Sequence, residues 1–334
     1  MPDRITMAQV ARQAGVSLMT VSRVINNKEG VGEATRSRVQ VIIEQLGYRP
    51  SDIARGLVTK RTGTLGLVIP DVANPFYAEV VRGAEHLAYE EGYNVFLCNT
   101  EEDTQRELDV LQSLVEKRVD GVVVSSSRLG DDELEEAVAS HLAAVLINRR
   151  LDSDDVGFVL IDDSLGGEMA TQHLLQTGHR AIGFLAGPST SYSGLGRAKG
   201  YRAALAAAGE PHNPDRIRYC SPMVEGGREA TLELLAAQPD LTALFCFNDL
   251  VAIGALHACA DLGRSVPGDI AIVGFDDIPL AALVTPPLTT CHVPRLALGS
   301  EAMRLLLEKI KGCDGETCKE VLLRPKLIVR SSAP

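Results

Sequence analysis

Between Ser17 and Asn26 lies a group of side chains able to read the edges of base pairs. Leu18, Met19, Ser22, Arg23 and Asn26 share one side of a short segment with helical spacing. An arginine there can offer two parallel N–H donors to guanine, while Leu and Met can meet thymine methyl groups. A second group is spread along the chain: Asn74 to Tyr77, Ser125 to Ser127, Asn148 with Arg149, Ser191 to Arg197, Asn248 with Asp249, and Asp276 with Asp277. Serines, amides, arginines and carboxylates around the Phe76–Tyr77 pair can exchange hydrogen bonds with vicinal hydroxyls while a ring stacks on a sugar face.

Motifs for catalysis are weaker. Gly194, Gly196 and Gly200 are spaced G-x-G-x-x-x-G, which departs from the dinucleotide fingerprint. No GKS/T phosphate loop or HExxH occurs, and spacing alone assembles no Ser/His/Asp triad. Cys98, Cys220, Cys246, Cys259, Cys291, Cys313 and Cys318 are scattered, mostly in apolar runs, as expected of reduced buried thiols. Cys313 and Cys318 lack a second Cys/His pair, so neither a metal site nor a cofactor is expected.

The reading side chains need a helix-turn-helix to carry them. Ala8, Val10, Ala11 and Ala14 form one small apolar face, Gly15 supplies the turn, and Val16 plugs the corner. Ser17 then caps a second helix with Val21, Val24 and Ile25 inward. A third run, Val39, Ile42, Ile43 and Leu46, closes the mini-core. Residues 1–62 hold ten Lys and Arg against five Asp and Glu, a net of +5; the whole chain is −11, so the remainder carries −16. A basic head on an acidic body suits a segment that neutralises phosphates while the rest stays off the duplex.

From Thr64 onward, apolar strands alternate with amphipathic helices, which indicates parallel sheets covered on both faces. The pattern runs LGLVIP, YNVFLCN, VDGVVVSS and AAVLIN, and restarts at FVLIDD, AIGFLAG, IRYC, ALFCFND and IAIVGFDD. Two lobes are therefore expected, with crossings near Ile161 to Asp163 and near Thr290 to Val293. A helix around 295–311 and strands at 319–323 and 326–330 would be shared between them. Ligands of such sheets bind beyond the carboxyl ends of strands, where the second group of residues falls. The alternatives are that Asn248 and Asp276 cap the helices that follow, that Arg197 pairs with a surface carboxylate, and that Tyr77 serves the core. A hydrophobic content of 45% in 334 residues supports a small head plus a two-lobed body. The longest apolar runs fall short of the roughly 18 residues that span a bilayer and there is no signal-peptide segment, so no membrane partner and a cytoplasmic location are expected.

The stretches ITMAQVARQAGVSLMTVSRVINN, VGEATRSRV, LGYRPSDIARGL, DVANPFYAEVVRG, IDDSLGGEMATQHLLQTGHRAIGFLAGP, FCFNDLVAIGAL and VPGDIAIVGFDDIP resemble, in order, the lactose-repressor/galactose-repressor family of bacterial transcription regulators. The likeness covers essentially the whole chain. It implies an α/β two-lobed periplasmic-binding-protein-like core with two doubly wound parallel sheets, and an N-terminal all-α helix-turn-helix domain. The domains would be 1–50 (helix-turn-helix), 51–62 (hinge), 63–162 plus 292–322 (first lobe), and 163–291 plus 323–334 (second lobe).

The implied function is a homodimeric, sequence-specific regulator, a repressor of a pseudo-palindromic double-stranded operator, switched by a small sugar-like ligand. Ser17, Leu18, Met19, Thr20, Ser22, Arg23 and Asn26 would face the major groove, with Thr6, Ser22, Thr35 and Tyr48 on phosphates. Ala54 and Leu57 would enter the minor groove, Leu57 as a wedge between base steps. Gly56 lowers the helix propensity of that hinge by about 1 kcal/mol, and Gly32 replaces a capping Ser or Thr. By the same likeness Tyr77 stacks on the ligand, Ser193 and Arg197 hold it, and Asn248 and Asp276 take hydroxyls or an amine. Phe76, Ser125, Asn148 and Arg149 complete the expected site. Pro222 stands where many sugar-binding members have an aromatic, and Ser191 where purine-binding members have Arg, which argues against a purine. Two other classes remain open: a solute receptor with a vestigial head, which the missing signal peptide disfavours, and an α/β sugar-modifying enzyme, which would have to turn its ligand over.

Overall fold

The computed structural model describes residues 5–48, 61–312 and 320–334. Ala54, Leu57, most of the expected hinge, Cys313 and Cys318 lie outside the described residues. Two compact units are present, Met1–Thr62 and Gly63–Pro334.

In the first unit, α1 (Met7–Ala14) starts at a capping box in which Thr6 Oγ1 accepts from Gln9 N at 3.3 Å and Gln9 Oε1 accepts from Thr6 N at 2.7 Å. Gly15, at φ 64°, ends it in the left-handed region that a side chain disfavours. Ser17 Oγ accepts from Thr20 N at 3.1 Å and so starts α2 (Leu18–Ile25). Helix α3 (Glu33–Leu46) begins at Gly32 with no side-chain cap. Val10, Ala11, Ala14, Val21, Val24, Val39 and Ile42 fill the core between the three helices. Ala8, expected on the inner face, is exposed.

The second unit opens with β1 (Thr64–Ile69), α4 (Pro75–Glu90), β2 (Asn94–Asn99), α5 (Thr104–Glu116), β3 (Val122–Ser125), α6 (Asp131–Ala139), β4 (Ala144–Ile147) and β5 (Val156–Ile161). It continues through α7 (Asp163–Gln176), β6 (Ile182–Ala186), α8 (Tyr192–Ala207), β7 (Ile217–Tyr219), α9 (Val224–Ala237), β8 (Ala243–Cys246), α10 (Asp249–Asp261) and β9 (Ala271–Asp276). It closes with β10 (Thr289–His292), α11 (Arg295–Ile310), β11 (Glu320–Leu323) and β12 (Lys326–Ile328). The strand orders are β2-β1-β3-β4-β5-β11 and β7-β6-β8-β9-β10-β12. Both sheets thus follow one winding pattern. All pairings are parallel except β10 with β12, so the second sheet carries one antiparallel edge strand. The crossing expected near Thr290 to Val293 overlaps a full strand of the second sheet, β10 (Thr289–His292).

Three helix pairs approach to backbone contact through glycines that face each other. A Cβ built on Gly83 of α4 would fall on the Leu296 carbonyl oxygen, and one on Gly299 of α11 on that of Val80. Gly167 of α7 and Gly200 of α8 are related in the same way, through the carbonyls of Arg197 and Ser164. Gly227 of α9 and Gly254 of α10 repeat the arrangement through Val251 and Val224. Gly200 therefore serves close helix packing, which accounts for a motif that only brushed a nucleotide fingerprint.

Two stability measurements check these assignments. Gly299→Val forces α4 and α11 apart and should lower the unfolding free energy of residues 63–334 by about 1–3 kcal/mol or more in urea titrations; an unchanged midpoint would mean that the helices do not touch there. Ser17→Ala removes the α2 cap and should cost the head about 1 kcal/mol, read by its thermal transition.

Candidate functional site

Helix α2 buries Val21 and Val24 and leaves the opposite side in solvent. Leu18 and Met19 lie side by side there, 53% and 66% exposed. Arg23 and Asn26 are exposed, Ser17 too, and Thr20 and Ser22 are half-buried. Asn26 Nδ2 donates to Ser22 O at 2.8 Å, fixing the amide at the helix end. Arg36 donates to Asn27 Oδ1 at 2.9 Å and to Lys28 O at 2.8 Å, which ties the turn after α2 to α3. Arg23 makes no hydrogen bond or ion pair among the described residues, so its guanidinium is free to reach a partner. Of the expected phosphate contacts, Thr6 is exposed but engaged in its capping box, Thr35 is half-buried, and Tyr48 packs in the head's core.

The second site is a cleft between the two sheets of the body. Its walls are Asn74, Phe76, Tyr77, Glu102, Ser126, Arg128 and Asn148 from the first lobe, and Ser191, Ser193, Arg197, Pro222, Phe247, Asn248 and Asp276 from the second. Each follows the carboxyl end of a strand, β1 to β4 in one lobe and β6 to β9 in the other. Three of them start helices: Asn74 Oδ1 accepts from Phe76 N at 3.0 Å, Ser191 Oγ from Gly194 N at 3.1 Å, and Asn248 Oδ1 from Val251 N at 2.8 Å. The other amide edge of Asn248 donates to Pro222 O at 3.0 Å. Asn248 is thus a helix cap and a cleft residue at once.

Arg197 forms the floor. Its Nε donates to Asp163 Oδ1 at 2.9 Å, its Nη1 donates to Phe247 O, and its Nη2 lies 3.8 Å from Asp276 Oδ1. The guanidinium carbon sits 3.7 Å from the Phe275 ring centroid and 4.8 Å from that of Phe247, a cation held between two π faces. Burial pushes the Asp276 carboxyl up to about 7, against the pull of Arg197 and Arg295. Burial also raises the Tyr77 hydroxyl to about 12. Tyr77 packs edge-on against Phe76 with centroids 5.1 Å apart. It is therefore both a core residue and a wall of the cleft. Four cleft-side residues, Ser126 (φ 52°), Asn148 (φ 52°), Asp276 (φ 106°) and Asp277 (φ 55°), adopt the left-handed region without being glycine. They stand at the ends of β3, β4 and β9.

Seven expected residues come together here: Phe76, Tyr77, Asn148, Ser193, Arg197, Asn248 and Asp276. Ser125 and Arg149 do not line the cleft. Ser125 ends β3 with its side chain buried, and its neighbour Ser126 takes the place, as the alternation of a strand requires. Arg149 turns away to Leu129 O at 2.9 Å and Asp131 Oδ1 at 2.6 Å. Asp249 also points inward, accepting from Thr290 Oγ1 at 2.6 Å and Ile278 N at 2.8 Å, and Asp277 pairs with His292 and Arg330. Glu102, Arg128 and Phe247 were missed. Among the described residues no group of His, Cys, Asp and Glu could hold a metal ion, and no helix is long and apolar enough to cross a membrane.

Residues 6–51 match the family described as bacterial regulatory proteins, lacI family, and residues 62–330 the periplasmic binding proteins and sugar binding domain of LacI family. An HTH-type transcriptional repressor PurR from Photobacterium profundum is 38% identical over 328 residues, 98% of each chain. Among solved structures, a transcriptional regulator CelR–cellobiose complex is 35% identical with a TM-score of 0.75, covering 98% of this chain and 100% of the other. A lac repressor dimer bound to operator and the anti-inducer ONPF is 26% identical with a TM-score of 0.87, covering 99% of both. With the exposed helix face, the polar cleft and these matches together, the chain belongs to the lacI family of DNA-binding transcriptional regulators, with a helix-turn-helix head and a periplasmic-binding-protein-like body.

Proposed function

We infer that the chain is a homodimeric repressor of a pseudo-palindromic operator, and that a sugar or sugar derivative in the cleft sets its affinity for DNA. The observation that carries the DNA half is the face of α2. It is capped, buried on one side, and presents Leu18, Met19, Arg23 and Asn26 to solvent with the Arg23 guanidinium unpaired. Arg23 reads guanine through two donors, Leu18 and Met19 meet thymine methyls, and Ser17, Thr20, Ser22 and Asn26 complete the contact. Thr6 and Thr35 hold phosphates and fix register. An operator read by two such helices requires a second copy, and the open edge strand β2 with exposed Phe96 and Leu97 supports one.

The ligand half rests on the chemistry of the cleft. Asn148 Oδ1 is buried with no hydrogen-bond partner among the described residues, a place for a hydroxyl donor. Tyr77 and Phe247 supply aromatic surface, and Ser193, Asn248 and Asp276 supply donors and acceptors. Ser191 is engaged as a helix cap and offers no cation to a purine. That CelR is known as a complex with cellobiose supports a sugar as the ligand. A ligand that bridges the two lobes changes how the pair of heads is presented to DNA, a coupling of typically about 1–3 kcal/mol. Turnover is not required, since an allosteric ligand acts by differential binding alone.

Two substitutions test this reading. Arg23→Ala should weaken binding to a selected operator by about 1–3 kcal/mol in fluorescence anisotropy while leaving binding to mixed DNA nearly unchanged; equal loss on both would make Arg23 a phosphate contact. The Asp276 carboxyl holds its proton below about pH 7 and is ionised above it. As an anion it accepts hydroxyl donors, so affinity for a neutral sugar should rise across neutrality in wild type and stay flat in Asp276→Asn, measured by calorimetry. A purine base binding in place of sugars would contradict the ligand class.

A further inference from the structure

We propose that the cleft takes a polyhydroxylated ligand bearing an oxyanion, a carboxylate or a phosphate, and that Glu102 holds the oxyanion's place on Arg128 until such a ligand displaces it. The proposal rests on the cleft being the effector site and adds the ligand's charge.

The cavity between the lobes is about 30 Å3, enough for one or two waters, whereas small-molecule sites typically enclose about 300–1,000 Å3. A ligand therefore needs the lobes to part or a side chain to move. On the second lobe the candidates are fixed: Arg197 is clamped by Asp163 and two aromatic rings, and Asn248 caps a helix. The first lobe is different. The Arg128 side chain is 7% exposed, its Nη1 donates to Ser126 O at 3.0 Å, and its backbone N donates to Glu107 Oε2 at 3.1 Å, so it stays in place without Glu102. The remaining edge, Nε and Nη2, donates to the two carboxylate oxygens of Glu102, Nη2 at 3.1 Å. Glu102 is 26% exposed and stands on a turn where Glu101 (φ 56°) and Glu102 (φ 60°) are both left-handed. It can swing into solvent and be hydrated there; Arg128 cannot follow.

What remains is a buried guanidinium with two parallel donors facing the cleft. Its complement is a carboxylate or a phosphate edge. A neutral ligand leaves that charge buried and unpaired, which is costly, so Glu102 yields its place only to another anion. The exchange swaps one ion pair for another and needs no further partner. Glu102 thereby acts as a built-in competitor that sets a threshold on ligand concentration and selects for charge.

Calorimetry on the full chain with D-glucose, D-gluconate, D-glucuronate and D-glucose 6-phosphate tests this. At least one charged compound should bind about tenfold or more tighter than glucose, the step a charge-assisted hydrogen bond provides. Glu102→Gln should tighten that compound further, Arg128→Gln should reduce it to the level of glucose, and the tightest arm tells carboxylate from phosphate. Glucose binding as well as every charged probe, in a manner lost in Tyr77→Ala, overturns the proposal but leaves the cleft as the effector site. Insensitivity of the charged probes to Glu102→Gln also overturns it. If none of the four binds, both readings fall.

Discussion

The body is organised around one buried cation. Arg197 brings four elements to a point: it belongs to α8, bonds Asp163 at the start of α7, donates to the carbonyl of Phe247 after β8, and lies under Phe275 and Asp276 at the end of β9. The facing glycines Gly167 and Gly200 let α7 and α8 approach closely enough for the pair to form. With 4% and 5% of their side chains exposed, Arg197 and Asp163 add little net stability as an intact pair, since desolvation offsets their attraction. Removing either partner would strand a charge at a cost of about 3–5 kcal/mol. The pair therefore specifies geometry: it fixes where Asp276 and the Phe247 ring stand, and with them the second wall of the cleft.

The two walls differ in kind. On the second lobe, Arg197, Asn248 and Ser191 are each held by structural partners, which fixes that wall. On the first, Asn148 keeps an unpaired acceptor and Arg128 is neutralised by a residue on an exposed turn. A ligand that bridges them would meet a fixed surface on one side and an adaptable one on the other. That asymmetry is what a switch requires, because a ligand can shift an equilibrium only by the difference in its interactions with two states. Three glycine-mediated helix crossings bring helices to backbone contact within the lobes.

Much of this was legible in the sequence. Uninterrupted runs such as LGLVIP and IAIVGFDD announce strands buried on both faces, and Ser17 after Gly15 announces the second helix of the head. Helix α6 carries little periodic signal in the sequence, because only Leu134 and Val138 are buried. In the cleft, residues directly at strand ends were found, but neighbours were confused where the backbone reverses. Asn148 enters the left-handed region, which sends Arg149 to Asp131 instead of the ligand site. Arg128 and Glu102 were missed because a charge three residues beyond a strand and an acidic turn both read as solvated surface; only the fold shows that they meet.

The proposed switch couples DNA at the head to a metabolite in the cleft. Its most direct test is reciprocal linkage: the affinity of the full chain for a selected palindromic duplex with and without a saturating cleft ligand, and the affinity for that ligand with and without the duplex. A coupled switch should show a change of about 5-fold to 150-fold, equal in the two directions. Tight binding of both with no change in either affinity would contradict it.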